Sequence, residues 1–243
     1  MSSLSEIKTA RLSKLRLLLE RGMNPYPVSA RADATLKEAA EDFEKLSKKR
    51  ELSLVGRVMA QRGQGGLMFA DLFDGTGRFQ ALLKKDEVRD DFFTLWNDAV
   101  DIGDIVELSG TLFLTKRNEK TLQVKSWRML TKSLRPLPEK WHGLTDTEER
   151  FRRRYLDLLM NEAVRGRFIL RSAIVRALRK LLDAEGFLEV ETSMLQPLPG
   201  GGNAEPFKTR HNALDIDLYL RIAPELDLKK LLIGGFPRVY EIG

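Results

Sequence analysis

Several stretches of this chain carry residue types whose spacing could do chemistry. Residues 61–66, Gln-Arg-Gly-Gln-Gly-Gly, lead into Met68-Phe69, and Phe79-Gln80 follows one strand later. An aromatic ring flanked by a cation and an amide can stack an unpaired base and hydrogen-bond its edge. The same residues also suit a core phenylalanine beside a solvated loop arginine. Arg150, Arg152, Arg153 and Arg154 could neutralise phosphates, each contact weakening as salt rises. They could equally lie in water, paired to Glu148, Glu149 and Asp157. Residues 199–202, Pro-Gly-Gly-Gly, lack the lysine and the serine or threonine of a P-loop, so no Walker-type nucleotide site is expected. Glu225 closes the run Arg221-Ile222-Ala223-Pro224 and by itself reads as a partner for a helix N-terminal dipole.

Composition removes several other chemistries. The chain has no cysteine, which excludes disulfides, thiolate metal sites and a cysteine nucleophile. His142 and His211 are not at metal-ligand spacing, so no metal site is expected. No side chain stands out as a catalytic acid, base or nucleophile. No apolar run approaches a membrane span. The first 22 residues are basic and amphipathic, but Glu6 and Glu20 argue against an organelle presequence, and a cytoplasmic location is expected. The formal net charge of +6 is compatible with a polyanionic partner such as RNA.

These residues must be positioned by elements that the patterning outlines. Residues 1–50 form a helical extension, broken at Asn24-Pro25-Tyr26-Pro27 and resumed after Thr35, which with Glu38 makes a capping box. Residues 51–135 read as short strands: one around Leu52, Leu54 and Val58, then 67–73, 78–83, 105–115 and 121–127. Asp74-Gly75-Thr76-Gly77 supplies a turn. A helix over 86–97, capped by Asp86, follows the third strand, with Val88, Phe92, Leu95 and Trp96 on one face. Five strands with a helix after the third are the pattern of an OB-fold barrel. Residues 136–161 form a linker. Within it Thr145 and Glu148 open a helix to about Met160, with Phe151, Tyr155 and Leu159 spaced for burial. From 162 to 185 runs a longer helix with a stripe of Leu170, Ile174, Leu178, Leu181 and Leu182, closed by Gly186. Strands near 188–191, 218–222 and 238–242 and a short helix over 224–232 complete an α+β chain.

The segment from Phe187 to Gly243, with its PLPGGGNAEPF, RIAPELDLKKL and RVYEIG runs, closely resembles the start of the catalytic domain of the lysyl-tRNA synthetases. These belong to class II, subclass IIb, and the likeness is to the bacterial type. The resemblance covers essentially the whole chain. It implies an OB-fold anticodon-binding domain over 51–135. The start of a class II antiparallel-sheet catalytic domain, with its first motif and part of the amino-acid pocket, would then occupy 162–243. It places Phe69 where the central anticodon base stacks, and Arg62 and Gln80 where its edge is hydrogen-bonded. Glu225 then contacts the lysine substrate, Gly201 approaches it through backbone, and Ala223 adds a main-chain contact. The helix 162–185 and the following stretch to Pro197 imply a homodimer. Asp227 departs from the family, where an aromatic residue is expected.

The implied activity is ATP-dependent attachment of lysine to tRNA-Lys through lysyl-adenylate, with ATP and Mg2+ as cofactors. In the family the charge-stabilising arginines and magnesium-holding acids follow the position of Gly243. The 243-residue polypeptide is therefore expected to be a fragment that does not activate lysine unaided. Two alternatives are a stand-alone RNA-binding OB-fold module and a relative of the aspartyl- or asparaginyl-tRNA synthetases. Glu225 argues against the second, because a carboxylate repels an acidic substrate.

Overall fold

The computed structural model describes residues 3–49, 51–138 and 144–243, so that His142 lies outside the described residues. The chain forms two compact units, residues 1–160 and 161–243. In the first, strands Leu52–Gln64 (β1), Leu67–Phe73 (β2), Arg78–Lys84 (β3), Ile105–Leu114 (β4) and Lys120–Thr131 (β5) close into a barrel of order β1-β2-β3-β5-β4. Only the β3–β5 seam is parallel. Period-two alternation sends Leu54, Leu72, Ala70, Ala81, Leu83, Leu108, Leu122 and Val124 into the interior, all fully buried. Closure gives each strand a neighbour on both sides over part of its length, which shortens the edges open to pairing with another chain. The ladder shifts register between Ser109 and Gly110, where β4 bends over β5. A Cβ on Gly110 would stand 1.9 Å from the Gln123 carbonyl oxygen, so the close approach of these strands requires glycine.

Helices Leu4–Glu20 (α1), Leu36–Glu41 (α2) and Phe43–Leu46 (α3) precede the barrel. The Thr35–Glu38 capping box forms as expected: Glu38 N donates to Thr35 Oγ1 at 3.2 Å and Thr35 N to Glu38 Oε2 at 2.8 Å. Leu18, Leu36, Ala39, Phe43 and Leu46 enter the same core as the barrel side chains, so the lead-in is part of the first unit. α1 is also fastened by charge. Arg11 donates to the carbonyls of Ser133 at 2.8 Å and Ile102 at 3.0 Å, and Lys14 meets Asp101 at 2.6 Å.

The helix after β3 differs from the sequence expectation. It spans Asp90–Ala99 (α4), and its N-cap is Arg89, without a side-chain cap bond. Asp86 does not cap it, because Glu87 N and Val88 N both donate to Lys84 O and hold the preceding residues in a turn. Phe93, Leu95, Trp96 and Ala99 face the core, while Phe92 is half-buried. Trp96 and Trp127 meet edge to face at 5.1 Å.

The expected single helix over 145–160 is two, Thr147–Arg152 (α5) and Arg154–Met160 (α6), separated by Arg153 at φ −114° and ψ 48°. Asp146, one residue later than expected, is the N-cap. Phe151 and Tyr155 are exposed rather than buried. The buried group is Asp157, which receives Arg150 at 3.0 Å and Arg154 at 2.5 Å, and the break at Arg153 interrupts the phase on which the expected apolar stripe depended.

In the second unit the long helix spans Glu162–Ala184 (α7), and Gly186 follows it at φ +77° as expected. Leu195–Gln196 (β7), Lys208–His211 (β8) and Ile216–Leu220 (β9) form an antiparallel sheet of order β7-β9-β8. Leu188–Glu189 (β6) pairs in parallel with Val239–Tyr240 (β10), and Glu225–Ile233 (α8) lies between β9 and β10 in sequence. β6 is shorter than the expected strand over 188–191. Leu170, Ile174, Leu178 and Leu181 on α7 are all exposed. No described helix is long and apolar enough to cross a membrane.

Candidate functional site

The barrel register gathers the three base-reading candidates. In the antiparallel β1–β2 pair Arg62 stands opposite Phe69, and in β2–β3 Asp71 stands opposite Gln80. Directly paired residues share a face, and Phe69 and Asp71 are two apart, so all four side chains belong to one face of the sheet. Ala70 and Leu72 between and beyond them point into the core. Phe69 is half-buried, neither interred in the barrel nor fully in water. The Arg62 guanidinium is 69% exposed and only 3.8 Å from Asp71, a loose surface pair that leaves it available to a ligand.

Gln80 is the most buried of the group, 8% exposed, and its carboxamide is held at both ends. Thr121 Oγ1 is 2.9 Å from Gln80 Oε1, and Gln80 Nε2 donates to Glu119 Oε2 at 3.3 Å. Asp71, Arg78, Gln80, Asn118, Glu119 and Lys120 line an open groove of about 490 Å³ beside this amide. Glu119 and Thr121 escaped the sequence reading because they lie about forty residues from Gln80. Only the parallel β3–β5 seam, with Gln80 opposite Thr121, brings them together.

The four arginines of the 150–154 run each meet a carboxylate: Arg150 and Arg154 meet Asp157, Arg152 meets Glu148 at 2.7 Å, and Arg153 meets Glu149 at 3.4 Å. All four are paired, two of them to the buried Asp157, so they do not form a bare phosphate-binding surface.

In the second unit the glycine loop lies against the segment before α8. Gly201 has φ +86°, and a Cβ there would stand 2.8 Å from the Ala223 carbonyl oxygen. Gly200 faces Leu226 Cδ1 in the same way at 3.2 Å. The structure thus brings Gly201 and Ala223 together, backbone against backbone. Glu225 stands apart from that contact. Its carboxylate, at the first position of α8, is 60% exposed and pairs with Lys229 Nζ at 2.5 Å. The hydrogen bond and charge of Lys229 hold the Glu225 carboxyl below its usual range. Asp227 takes Gln196 Nε2 at 2.9 Å and Lys230 at 2.8 Å, so a polar bridge occupies the position where the resemblance implies an aromatic ring.

A second group in this unit was not singled out by sequence. Arg221 and Glu241 form a 2.6 Å ion pair whose side chains are 10% and 6% exposed. Thr192 joins it, receiving from Arg221 at 2.7 Å and donating to Glu241 at 2.8 Å through its hydroxyl. Burial pulls the Glu241 carboxyl upward, but the Thr192 and Arg221 hydrogen bonds outweigh it and hold it below the usual range. The signal available in the sequence was an acid and a base, each between apolar neighbours, in RIAP and VYEIG.

Comparison with known proteins accords with this layout. Residues 146–243 match the family of class II tRNA synthetases (D, K and N), and residues 52–130 match the OB-fold nucleic acid binding domain. The lysine--tRNA ligase of Carboxydothermus hydrogenoformans is 50% identical over 239 residues, 98% of this chain and 49% of that protein. Those of Roseiflexus castenholzii and Halalkalibacterium halodurans are 49% and 46% identical, covering 98% and 99% of this chain and 49% of each relative. The C-terminal part of the chain is thus similar to the class II tRNA synthetases. Nearly the whole chain is similar to these lysine--tRNA ligases, and it spans about half the length of the curated relatives it matches. Its OB-fold is the barrel carrying Arg62, Phe69 and Gln80, and its class II region includes α7, the glycine loop and α8.

Proposed function

We propose that this chain supplies the anticodon-binding domain and the beginning of the catalytic domain of a cytoplasmic lysine--tRNA ligase. Such an enzyme forms lysyl-adenylate from lysine and ATP and passes the lysyl group to tRNA-Lys. The observation that carries the reading is the single barrel face holding Phe69, Arg62 and Gln80, in a chain whose relatives bear that name. On this reading residues 1–50 are a helical extension, 51–135 the anticodon domain, 136–161 a linker and 162–243 the class II region.

The chemistry follows from the side chains. An uracil edge offers a carbonyl, an N3–H and a second carbonyl. The Phe69 ring supplies a stacking platform, Arg62 and the Gln80 amide donate to carbonyls, and the Glu119 carboxylate accepts from N3–H. For the amino acid, Glu225 accepts the substrate's ammonium, while Gly201 and Ala223 offer backbone at close range. That Glu225 already takes the Lys229 ammonium at 2.5 Å supports a carboxylate suited to this cation. Binding substrate then means exchanging one ammonium for another, which keeps the electrostatic cost small.

ATP and Mg2+ are the proposed cofactors of the whole enzyme. Among the described residues no group of three or more His, Asp or Glu side chains could hold a metal ion. Catalysis of adenylation rests on positioning and phosphate-charge stabilisation, so no residue here is given a catalytic role. The exposed stripe of α7, with the stretch to Pro197, is proposed to pair two copies; sedimentation as a monomer at high concentration would refute that.

Phe69→Ala tests the main reading. Base–aromatic stacking contributes roughly 1–3 kcal/mol per base, so affinity for the tRNA-Lys anticodon stem-loop is expected to fall about 5- to 150-fold. Fluorescence anisotropy with labelled RNA measures this directly. Unchanged affinity would show that the ring is not the stacking platform.

A further inference from the structure

We propose that Thr121 is a positioning residue that locks the Gln80 carboxamide with its NH2 group toward the groove, so that the barrel face accepts a base presenting a carbonyl there and rejects one presenting an amino group. This rests on the reading of that face as an anticodon-base site.

The argument turns on proton counting. Thr121 has one hydroxyl proton and two acceptors in reach, Gln80 Oε1 at 2.9 Å and the Glu119 carbonyl at 3.1 Å. A glutamine amide can in principle be turned by 180°, exchanging its oxygen and nitrogen. Here the other end of the amide lies against the Glu119 carboxylate, which when ionised only accepts hydrogen bonds. Turning the amide would set Gln80 Oε1 against that carboxylate, and the hydroxyl, now accepting from the NH2, would have to send its proton to the Glu119 carbonyl and give up its bond to Oε1. The favourable arrangement therefore has Nε2 donating to Glu119 and Thr121 donating to Oε1. Thr121 is fully buried and Gln80 nearly so, so water does not readily replace either bond.

The consequence is a donor of fixed sense. The Gln80 NH2 carries a second proton beyond the one given to Glu119, and that proton suits a base carbonyl. Uracil presents O4 where cytosine presents an N4 amino group, so the two pyrimidines differ at the atom such a donor tests. With the Thr121 hydroxyl removed, the Oε1 anchor is gone. Oε1 is then buried without a donor, so only the Glu119 carboxylate still opposes the turned amide, whose oxygen accepts from a cytosine amino group. Thr121 touches no base in this scheme; it acts through Gln80.

The test uses the full chain and two anticodon stem-loop RNAs that differ only in uridine or cytidine at the central position. Thr121→Val keeps shape and β-propensity while deleting the hydroxyl, and Thr121→Ser restores it. A matched hydrogen-bonding pair contributes about 1–3 kcal/mol of discrimination, so the uridine preference is expected to narrow about tenfold in Thr121→Val. Thr121→Ser is expected to keep the wild-type ratio. Thermal unfolding followed by circular dichroism checks the fold, and Thr121→Ala, with the same expectation, replaces the valine variant should that one be unfolded. An undiminished uridine preference in the hydroxyl-deleted variant overturns the proposal while leaving the site reading intact. Indifference of the wild-type chain to the two RNAs, or to Phe69→Ala, overturns the site reading itself and this inference with it.

Discussion

Lys132→Met is expected to lower the unfolding free energy of the barrel unit by about 3–5 kcal/mol, the cost of breaking a buried ion pair from one side. The Lys132 side chain is wholly buried, and its ammonium spends all three protons: on Ala99 O at 2.7 Å, Asp101 at 2.5 Å and Asp104 at 2.8 Å. Asp104 is also fully buried. Methionine fills the volume but leaves that carboxylate without a cation. Backbone donors at Asp101 and Ser133, both 2.7 Å away, soften the loss without removing it. Urea denaturation followed by the fluorescence of Trp96 and Trp127 measures the change. Adding Asp104→Asn should recover part of it, because the stranded charge disappears; strictly additive effects would show that the two groups are not coupled.

The same cluster sets an acid limit. Burial raises the Asp101 carboxyl, but the hydrogen bonds and charges of Lys132 and Lys14 win and hold it below its usual value. A carboxyl whose folded value is depressed stabilises the fold above its unfolded value of about 3.9, and that stabilisation is lost as pH falls through the folded value. The stability gap between the wild-type chain and Asp101→Asn should therefore shrink as pH drops from 7 toward 3.

Arg221→Met is expected to cost the second unit about 3–5 kcal/mol, by the same one-sided loss of a buried pair. Glu241 would keep only the Thr192 hydroxyl at 2.8 Å and its backbone N–H at 3.3 Å. Because Thr192, Arg221 and Glu241 come from separate segments, the loss should loosen all three together. Hydrogen exchange at Thr192 and around β10 reports this, and Glu241→Gln in the same chain should slow it again. Unaltered protection in Arg221→Met would mean that the pair does not hold these segments. The pair also underlies the candidate pocket, since Arg221 leads directly into Ala223 and Glu225.

Much of the barrel was legible because its elements are local. β2 matches the expected strand, β3, β4 and β5 lie within a few residues of expectation, and the Thr35 cap needs only residues three apart. The resemblance of the 187–243 segment likewise rests on contiguous runs. Misreadings arose where a local polar contact competed with the apolar or capping pattern. Phe151 and Tyr155, whose spacing suggested burial, lie exposed on either side of the break at Arg153, while Asp157 is buried and takes two arginines. The 86–97 helix started late because Lys84 O captured the N–H groups that a helix from Asp86 would have used.

By itself, then, the sequence determined the resemblance to the lysyl-tRNA synthetases and the five-stranded barrel with its helix after the third strand, and it singled out Arg62, Phe69 and Gln80, which the register then placed on one face. All of these depend on short-range pattern or on contiguous motifs. Tertiary structure alone decided that Thr121 and Glu119 clamp the Gln80 amide, that Lys132 lies between Asp101 and the buried Asp104, and that Arg221 pairs with Glu241. Those partnerships join side chains through strand register and burial. The energy of a charge or an amide depends on what surrounds it in space, and that is settled only when the chain closes on itself.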